Sequence, residues 1–565
     1  MSVVKGLQFS STESRWATAA AVTRRDGVLC ASARFPGPGL LGMLVFGVLL
    51  SACTTHDPGA QVLAPDVEVS RPVRNVIVMI NDGAGWGTWD AAAYWQYGSR
   101  ERTPYANFPV KYGMTTYPLN DEKEPSGDDE SLVNYDKAKA WDTEPFDDPS
   151  MPFKGYEYLD DDPTDSAASG TALASGVKTY RNGLNVDNRG NPVRFVTLDA
   201  KAQGKATGVV TSVPFSHATP GAYGAQNVSR KNYQAIARQM LNEGTLDLIM
   251  GMGGPGYNVN GTPCGQLARN ESEIGCDSPH EYLAKDDWQK LSVGKIVPKG
   301  FDRPWTLIRD KADFEAMAAG EQTYESPLIG LPNVANNGTL QQGREGRFTG
   351  KDAANPSGEA FIETVPTLAT MTRGALRHLG AARDGFFLMV EGGATDWAAH
   401  TSDSCAEDNE WSKSYNPNCS GVQLGRLIEE TQDFNHAVEA VVEWVEKNSS
   451  WDETLLIVTT DHDNSMPMGP DAQKVPFQPV VNNGKGRMPG LSLRPTGDHS
   501  NAMVPLWAKG AGSEAFAKRV RGQDKQFASH TGLNDGSYVD NTDVHAVVKA
   551  ALQGRTVEPI RVGAR

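Results

Sequence analysis

The chain has 565 residues, 39% of them hydrophobic and 22% charged, with a formal net charge of -16. That length can bury a large core, either as one elaborated α/β domain or as several domains. The negative charge argues against a nucleic-acid-binding surface, because contacts to a phosphate backbone call for clustered Lys and Arg.

The amino terminus reads as a processing segment. Arginines at 24, 25 and 34 precede the apolar run Leu40 to Ala52, which is too short to span a bilayer and suits a secretory signal. The run ends in Leu50-Ser51-Ala52-Cys53. Two readings fit: ordinary cleavage near these small residues, or a bacterial lipoprotein signal with Cys53 as the lipidated first residue. We carry the second, with 1–52 as signal, 53–73 as linker and 74–565 as the catalytic domain. The protein is then exported to the cell envelope, periplasmic or surface-facing, and held to a membrane through Cys53. Arg24-Arg25 also resembles a twin-arginine export signal. In that oxidising compartment Cys264, Cys276, Cys405 and Cys419, spaced as two close pairs, predict two local disulfides.

The first strong element is Val76 to Ile80, a continuous apolar run that reads as a strand buried on both faces, with Asp82 just past its carboxyl end. Residues 121 to 162 hold 15 acids against four lysines, and the stretch 118–162 reads as a solvated insertion. Next comes "PTDSAASGTALASG", Pro163 to Gly176, whose small residues suit a closely packed helix. Ser166 falls at its amino end, where free N–H groups favour an anion, or where Ser166 serves only as an N-cap. No Gly-x-Ser-x-Gly elbow surrounds it, and "DGAGWG" lacks the third glycine of a dinucleotide fingerprint.

A second strand, "ATGVVTSV", ends shortly before "SHATP", which contains His217 and Thr219. From 251 to 357 the pattern loosens into Gly, Pro and Asn and reads as an insertion or cap, as does 463–497. "GFFLMVEGG" predicts a buried strand ending at Glu391, and "ATDWAAH" then places Asp396 and His400 four apart, on one face of a helix. Leu427, Thr431, Phe434, Val438, Val441 and Val445 trace one apolar helical stripe, on which His436 is structural or surface. "TLLIVTTDHD" gives a further strand with Asp461 and His462 at its end. Strands alternating with helices predict an α/β fold, a doubly wound and mostly parallel sheet with helices on both faces and cap insertions. Carboxylates and imidazoles converging on one sheet edge form a mixed oxygen and nitrogen donor set, which favours zinc.

Taken in order from about Arg74 onward, "TDSAAS", "ATPGAY" followed by "SRK", "FFLMVEG", the Glu/Asp/His spacing, "TTDHD" and "HSNAMVPLWAKG" resemble the alkaline phosphatases. The resemblance implies Ser166 as nucleophile and Arg230 as the arginine that grips phosphate oxygens, a task its planar fork suits. It implies one zinc held by Asp396, His400 and His499, with His530 the rival to the last, and a second held by Asp82, Asp461 and His462. Asp82 would also bridge to a magnesium completed by Thr219 and Glu391. Two Zn2+ and one Mg2+ per chain follow, with the paired ions about 4 Å apart. Asp165, His217 and Trp397 would stand just outside the ligands; His217 occurs where some members carry Asp, and Trp397 where some carry Lys or His. The implied reaction is hydrolysis of small phosphomonoesters through a phosphoserine, with a homodimer among the open assemblies. A phosphodiesterase of the same superfamily and a non-catalytic phosphate- or metal-binding lipoprotein are the alternatives.

Overall fold

The computed structural model describes residues 72–560, apart from 131–133, 141–153, 270–272, 274, 336–354, 358–360, 401–416, 473–474, 494–497 and 534 and the side chains of 154 and 417–423. The signal segment, Cys53 and the Cys405–Cys419 pairing lie outside the described residues. The other predicted disulfide, Cys264–Cys276, is formed.

Eleven strands make one mixed, mostly parallel sheet: β1 (Asn75–Ile80), β2 (Val110–Thr115), β3 (Ala206–Pro214), β4 (Leu248–Met252), β5 (Thr306–Ile308), β6 (Leu328–Gly330), β7 (Phe386–Glu391), β8 (Thr454–Thr459), β11 (Val504–Gly510), β12 (Gly522–Gln523) and β13 (Ser537–Asp540). Two short strands between them in sequence, β9 (Asp463–Asn464) and β10 (His499–Ser500), pair separately. The order across the large sheet is β12-β13-β2-β11-β8-β1-β7-β3-β4-β6-β5.

The apolar runs of β1, β7 and β8 are buried along their whole length, because helices cover both faces. Alternation along each strand divides the core in two. Val76, Val78 and Ile80 join Phe387, Met389, Leu455 and Ile457 in one cluster, whereas Ile77 and Met79 join Leu388, Val390, Leu456 and Val458 in the other. The helices Ser166–Ser175 and Asn541–Gln553 contribute to the first; Leu368–Gly380 and Pro417–Asn448 contribute to the second. The predicted stripe on the last of these is buried from Leu427 to Val445, while His436 is exposed and meets Gln96. Among the described residues no helix is long and apolar enough to cross a membrane.

One stretch differs from expectation. Within 251–357, β5 and β6 extend the sheet in parallel at its edge, so part of what reads as a cap belongs to the core layer. Strands of three residues carry too little pattern to show in sequence.

The central strands β8, β1, β7 and β3 are neighbours and all parallel. Their register places Ile80 beside both Thr459 and Glu391, and Glu391 beside Thr211. The carboxyl ends of β8, β1 and β7 therefore finish at one level, which β3 overruns to end at Pro214, and this is the edge where open α/β sheets hold their ligands.

Phe434 tests the packing behind this edge, since it is fully buried and meets Trp89 edge-on at 5.7 Å. Phe434→Ala should lower the unfolding free energy by about 3–5 kcal/mol, read from urea titration. A loss under about 1 kcal/mol would show that this helix does not anchor the core.

Candidate active site

Three central strands deliver a carboxylate at or just past their last residue. Asp82 follows β1 and Asp461 follows β8, each two residues beyond the last strand residue, while Glu391 is the final residue of β7. Gly83 lets the β1 loop turn there: its φ is +71°, and a Cβ would stand 2.9 Å from the Cα of Asp396. Its N–H donates to Asp461 Oδ1 at 3.1 Å, tying the two loops together.

Two ligand groups result. Asp82, Asp461 and His462 form one, with His462 Nε2 3.1 Å from Asp461 Oδ2 and 3.4 Å from Asp82 Oδ1. Asp396, His400 and His499 form the other. The first two lie on the helix Ala394–His400 at the predicted spacing, and His499 Nε2 stands 3.4 Å from Asp396 Oδ1 and 3.2 Å from His400 Nε2. His499 reaches this point through the β9–β10 ladder, which pairs it with Asn464. Its Nδ1 donates to the Thr164 carbonyl at 2.7 Å, leaving the Nε2 lone pair toward the group. The rival His530 sits on the helix Lys525–Thr531, lining an apolar pocket with Trp86, Met466 and Phe527.

Beside the first group, Thr219 Oγ1 donates to Asp82 Oδ2 at 3.2 Å, and Glu391 accepts from Thr211 Oγ1. Asp82, Glu391, Asp396 and Asp461 are all buried. Burial first, then the neighbouring carboxylates, raise Asp82 well above its ordinary range, and burial pushes Glu391 up to about 8. Asp82 Oδ1, Asp461 Oδ2, Glu391 Oε1 and His462 Nδ1 are buried without a hydrogen-bond partner. Buried oxygens of like charge with open lone pairs are a cation's donor set, so the residues present fit divalent metal ions.

Ser166 lies against this metal edge. Asp165, not Ser166, caps the helix Ser166–Ser175: its Oδ1 accepts from the N–H groups of Ala168 and Asn182, both at 3.1 Å. The N-cap reading of Ser166 is thereby set aside. Its hydroxyl is free of the backbone and stands 3.1 Å from His462 Nε2. The other carboxylate oxygen of Asp165 takes Arg230 Nη1 at 3.0 Å. Burial opposes the Asp165 charge, but Arg230 and the Ala168 N–H outweigh it and hold the carboxyl below its ordinary value. Arg230 Nη2 donates to His217 Nε2 at 3.2 Å, and burial with the Arg230 charge lowers His217 to about 3, so the imidazole is neutral. Trp397 meets the His217 ring edge-on at 5.5 Å.

Several contributors were not singled out from sequence. Asn464 Nδ2 donates to Asp396 Oδ1 at 2.7 Å and Thr211 holds Glu391. Ser465, at φ +59°, donates to the Ala399 carbonyl and braces the ligand helix. Only the position of Asn464 beside "TTDHD" hinted at the first of these.

The alkaline phosphatase family model matches residues 73–413, more than half of the chain. The chain belongs to the alkaline phosphatase family. Alkaline phosphatase 4 of Bacillus subtilis is 29% identical over 395 residues, which are 69% of this chain and 61% of that protein. The Escherichia coli alkaline phosphatase is likewise 29% identical, over 69% of this chain and 74% of its own. The match thus spans only about three-fifths of the Bacillus relative. The fold resembles that of the Thermus thermophilus alkaline phosphatase, with a TM-score of 0.51 at 19% identity, covering 90% of this chain and 98% of that one.

Removing divalent ions from a family member built this way leaves its buried carboxylates facing one another. Exhaustive chelation should therefore lower the melting temperature by several degrees or more, with recovery on adding metal. Asp82→Asn should lose much of that dependence. Equal melting temperatures for the metal-loaded protein and a demonstrably metal-free sample would contradict the reading.

Proposed function

We propose that the chain hydrolyses phosphate monoesters to an alcohol and inorganic phosphate through a phosphoserine at Ser166. The observation that carries this reading is the placement of the Ser166 hydroxyl, uncommitted to helix capping, 3.1 Å from a metal-group histidine. Arg230 stands beside it on the carboxylate of the preceding residue.

Asp396, His400 and His499 would hold one zinc; Asp82, Asp461 and His462 would hold the other; and Asp82, Thr219 and Glu391 would hold magnesium. Bound there, these ions supply Lewis acidity to the attacking and leaving oxygens of an in-line displacement. The chain's own residues do the rest. Ser166 Oγ forms a bond to phosphorus as the bond from phosphorus to the alcohol oxygen breaks, and the alcohol leaves with a proton. Water then cleaves the phosphoserine, returning the hydroxyl and releasing phosphate. Arg230 N–H groups and the amino end of the helix Ser166–Ser175 face the equatorial oxygens, where transition-state charge collects. Asp165 does two jobs at once: it caps the helix that presents Ser166 and fixes Arg230, so nucleophile and clamp move as one unit. Little in this scheme requires contact with the alcohol, which favours a broad range of small phosphomonoesters.

Ser166→Ala should lose at least about a thousandfold in kcat and all acid-stable phosphoenzyme while retaining its bound metal. Parallel assays on a phosphomonoester and a phosphodiester, with metal content measured on the same samples, check this. Turnover near the wild-type level, or a preference for the diester, would contradict the proposal.

The export reading extends this. Cys53 becomes the lipidated amino terminus, placing the enzyme in the cell envelope. The mature protein should fractionate with membranes, and Cys53→Ala should release it or block its processing. Mass spectrometry of the mature amino terminus decides the matter, and an unmodified start elsewhere would indicate simple secretion.

A further inference from the structure

One wall of the site is aromatic. Trp397 lies between Asp396 and His400 on their helix, and its indole meets the His217 ring at 5.5 Å with the planes 78° apart. On another side the His217 ring lies nearly parallel to Tyr233, at 6.0 Å and 19°, and Tyr233 packs on Tyr282 at 4.5 Å. The wall has a fixed base: Ser216 Oγ donates to the Tyr282 carbonyl at 3.0 Å, and His217 Nε2 accepts from Arg230. His217 and Tyr282 are buried, whereas Trp397 and Tyr233 remain half-exposed.

Nothing in binding a phosphoryl group calls for this. Indole and phenol faces offer no positive charge to phosphate oxygens; they attract planar rings, by offset stacking and by excluding water from both faces. Trp397 also has a particular place. Ser166 lies against His462 of the other ligand group, so an in-line displacement would send the alcohol oxygen out toward Asp396, His400 and His499; the helix of Trp397 carries the first two, and its ring touches the histidine bonded to Arg230. A half-exposed aromatic face between the phosphate clamp and the leaving side is placed to meet the alcohol.

We propose that Trp397, held against His217, which Tyr233 backs, is a specificity-determining wall that stacks on the alcohol part of the substrate, selecting phosphate monoesters whose alcohol carries a planar aromatic ring. The inference rests on the phosphomonoesterase reading above. It adds to it a substrate class, aromatic alcohol phosphates and nucleoside monophosphates in preference to aliphatic ones.

The test uses three monoesters that all leave as primary alkoxides: adenosine 5′-monophosphate, benzyl phosphate and glycerol phosphate esterified at a terminal carbon. Intrinsic reactivity is then similar and the ring is the main variable. In the metal-loaded enzyme, Trp397→Ala should lower the ratio of kcat/KM for a ring-bearing ester to that for glycerol phosphate by about 5- to 150-fold, the range of stacking on one aromatic side chain. Trp397→Phe should restore most of the ratio, which a purely structural role of the indole would not require. A change confined to the nucleotide places the stacked ring several bonds from phosphorus; one confined to benzyl phosphate places it next to the phosphoryl group. An unchanged ratio in Trp397→Ala would overturn the proposal. Failure of the metal-loaded wild type to hydrolyse any of the three would instead sink the phosphomonoesterase reading. The ratio of dissociation constants for adenosine 5′-monophosphate and glycerol phosphate, measured calorimetrically in Ser166→Ala with and without Trp397→Ala, would still decide the stacking question.

Discussion

The site is organised by an electrostatic problem, the burial of Asp82, Glu391, Asp396 and Asp461 in one small volume. Each is costly to bury charged, and together they repel. Within the chain the nearest compensation comes from the rings of His462, His499 and His400, and buried oxygens still lack partners. Divalent cations resolve this, so the same arrangement that makes the empty site unfavourable makes the loaded site stable. Metal binding and folding are linked through these four side chains.

The fold creates that problem deliberately through register. Because β8, β1, β7 and β3 are adjacent and parallel, four loops leave the same edge of the sheet, those of β8, β1 and β7 at one level. A one-residue slip of any strand would turn its alternating side chains from one core to the other, so two separate apolar clusters hold the carboxylates in place. Gly83 then lets the loop after β1 approach the backbone of the helix Ala394–His400, which a side chain there would not allow. On the opposite bank Asp165 links the helix that presents Ser166 to Arg230. The carboxylate and histidine edge and the Asp165–Arg230 pair are thus built by separate elements and meet at the 3.1 Å contact between Ser166 and His462.

Much of this was legible in the residues themselves, and the reasons are physical. Strands buried on both faces must be continuously apolar, so β1, β7 and β8 stood out, and each ended in a charged residue that had no business in a core. The four-residue spacing of Asp396 and His400 follows from helix geometry and held. His499 and His530 were harder to separate, because what distinguishes them is the β9–β10 ladder, a two-residue pairing with no periodicity to read. The same applies to β5 and β6 at the sheet edge. Asn464, Thr211 and the packing of Tyr233 and Trp397 on His217 depend on contacts between segments far apart in sequence, and ordinary residue types give no warning of them.

The most direct test of the account is where the metal ions lie. Anomalous diffraction recorded on either side of the zinc absorption edge, from crystals of the zinc-loaded protein, should show two strong peaks per chain. One should fall among Asp82, Asp461 and His462, the other among Asp396, His400 and His499. A single peak, peaks at other residues, or none in fully loaded crystals would contradict the claim that these buried carboxylates exist to hold a pair of cations.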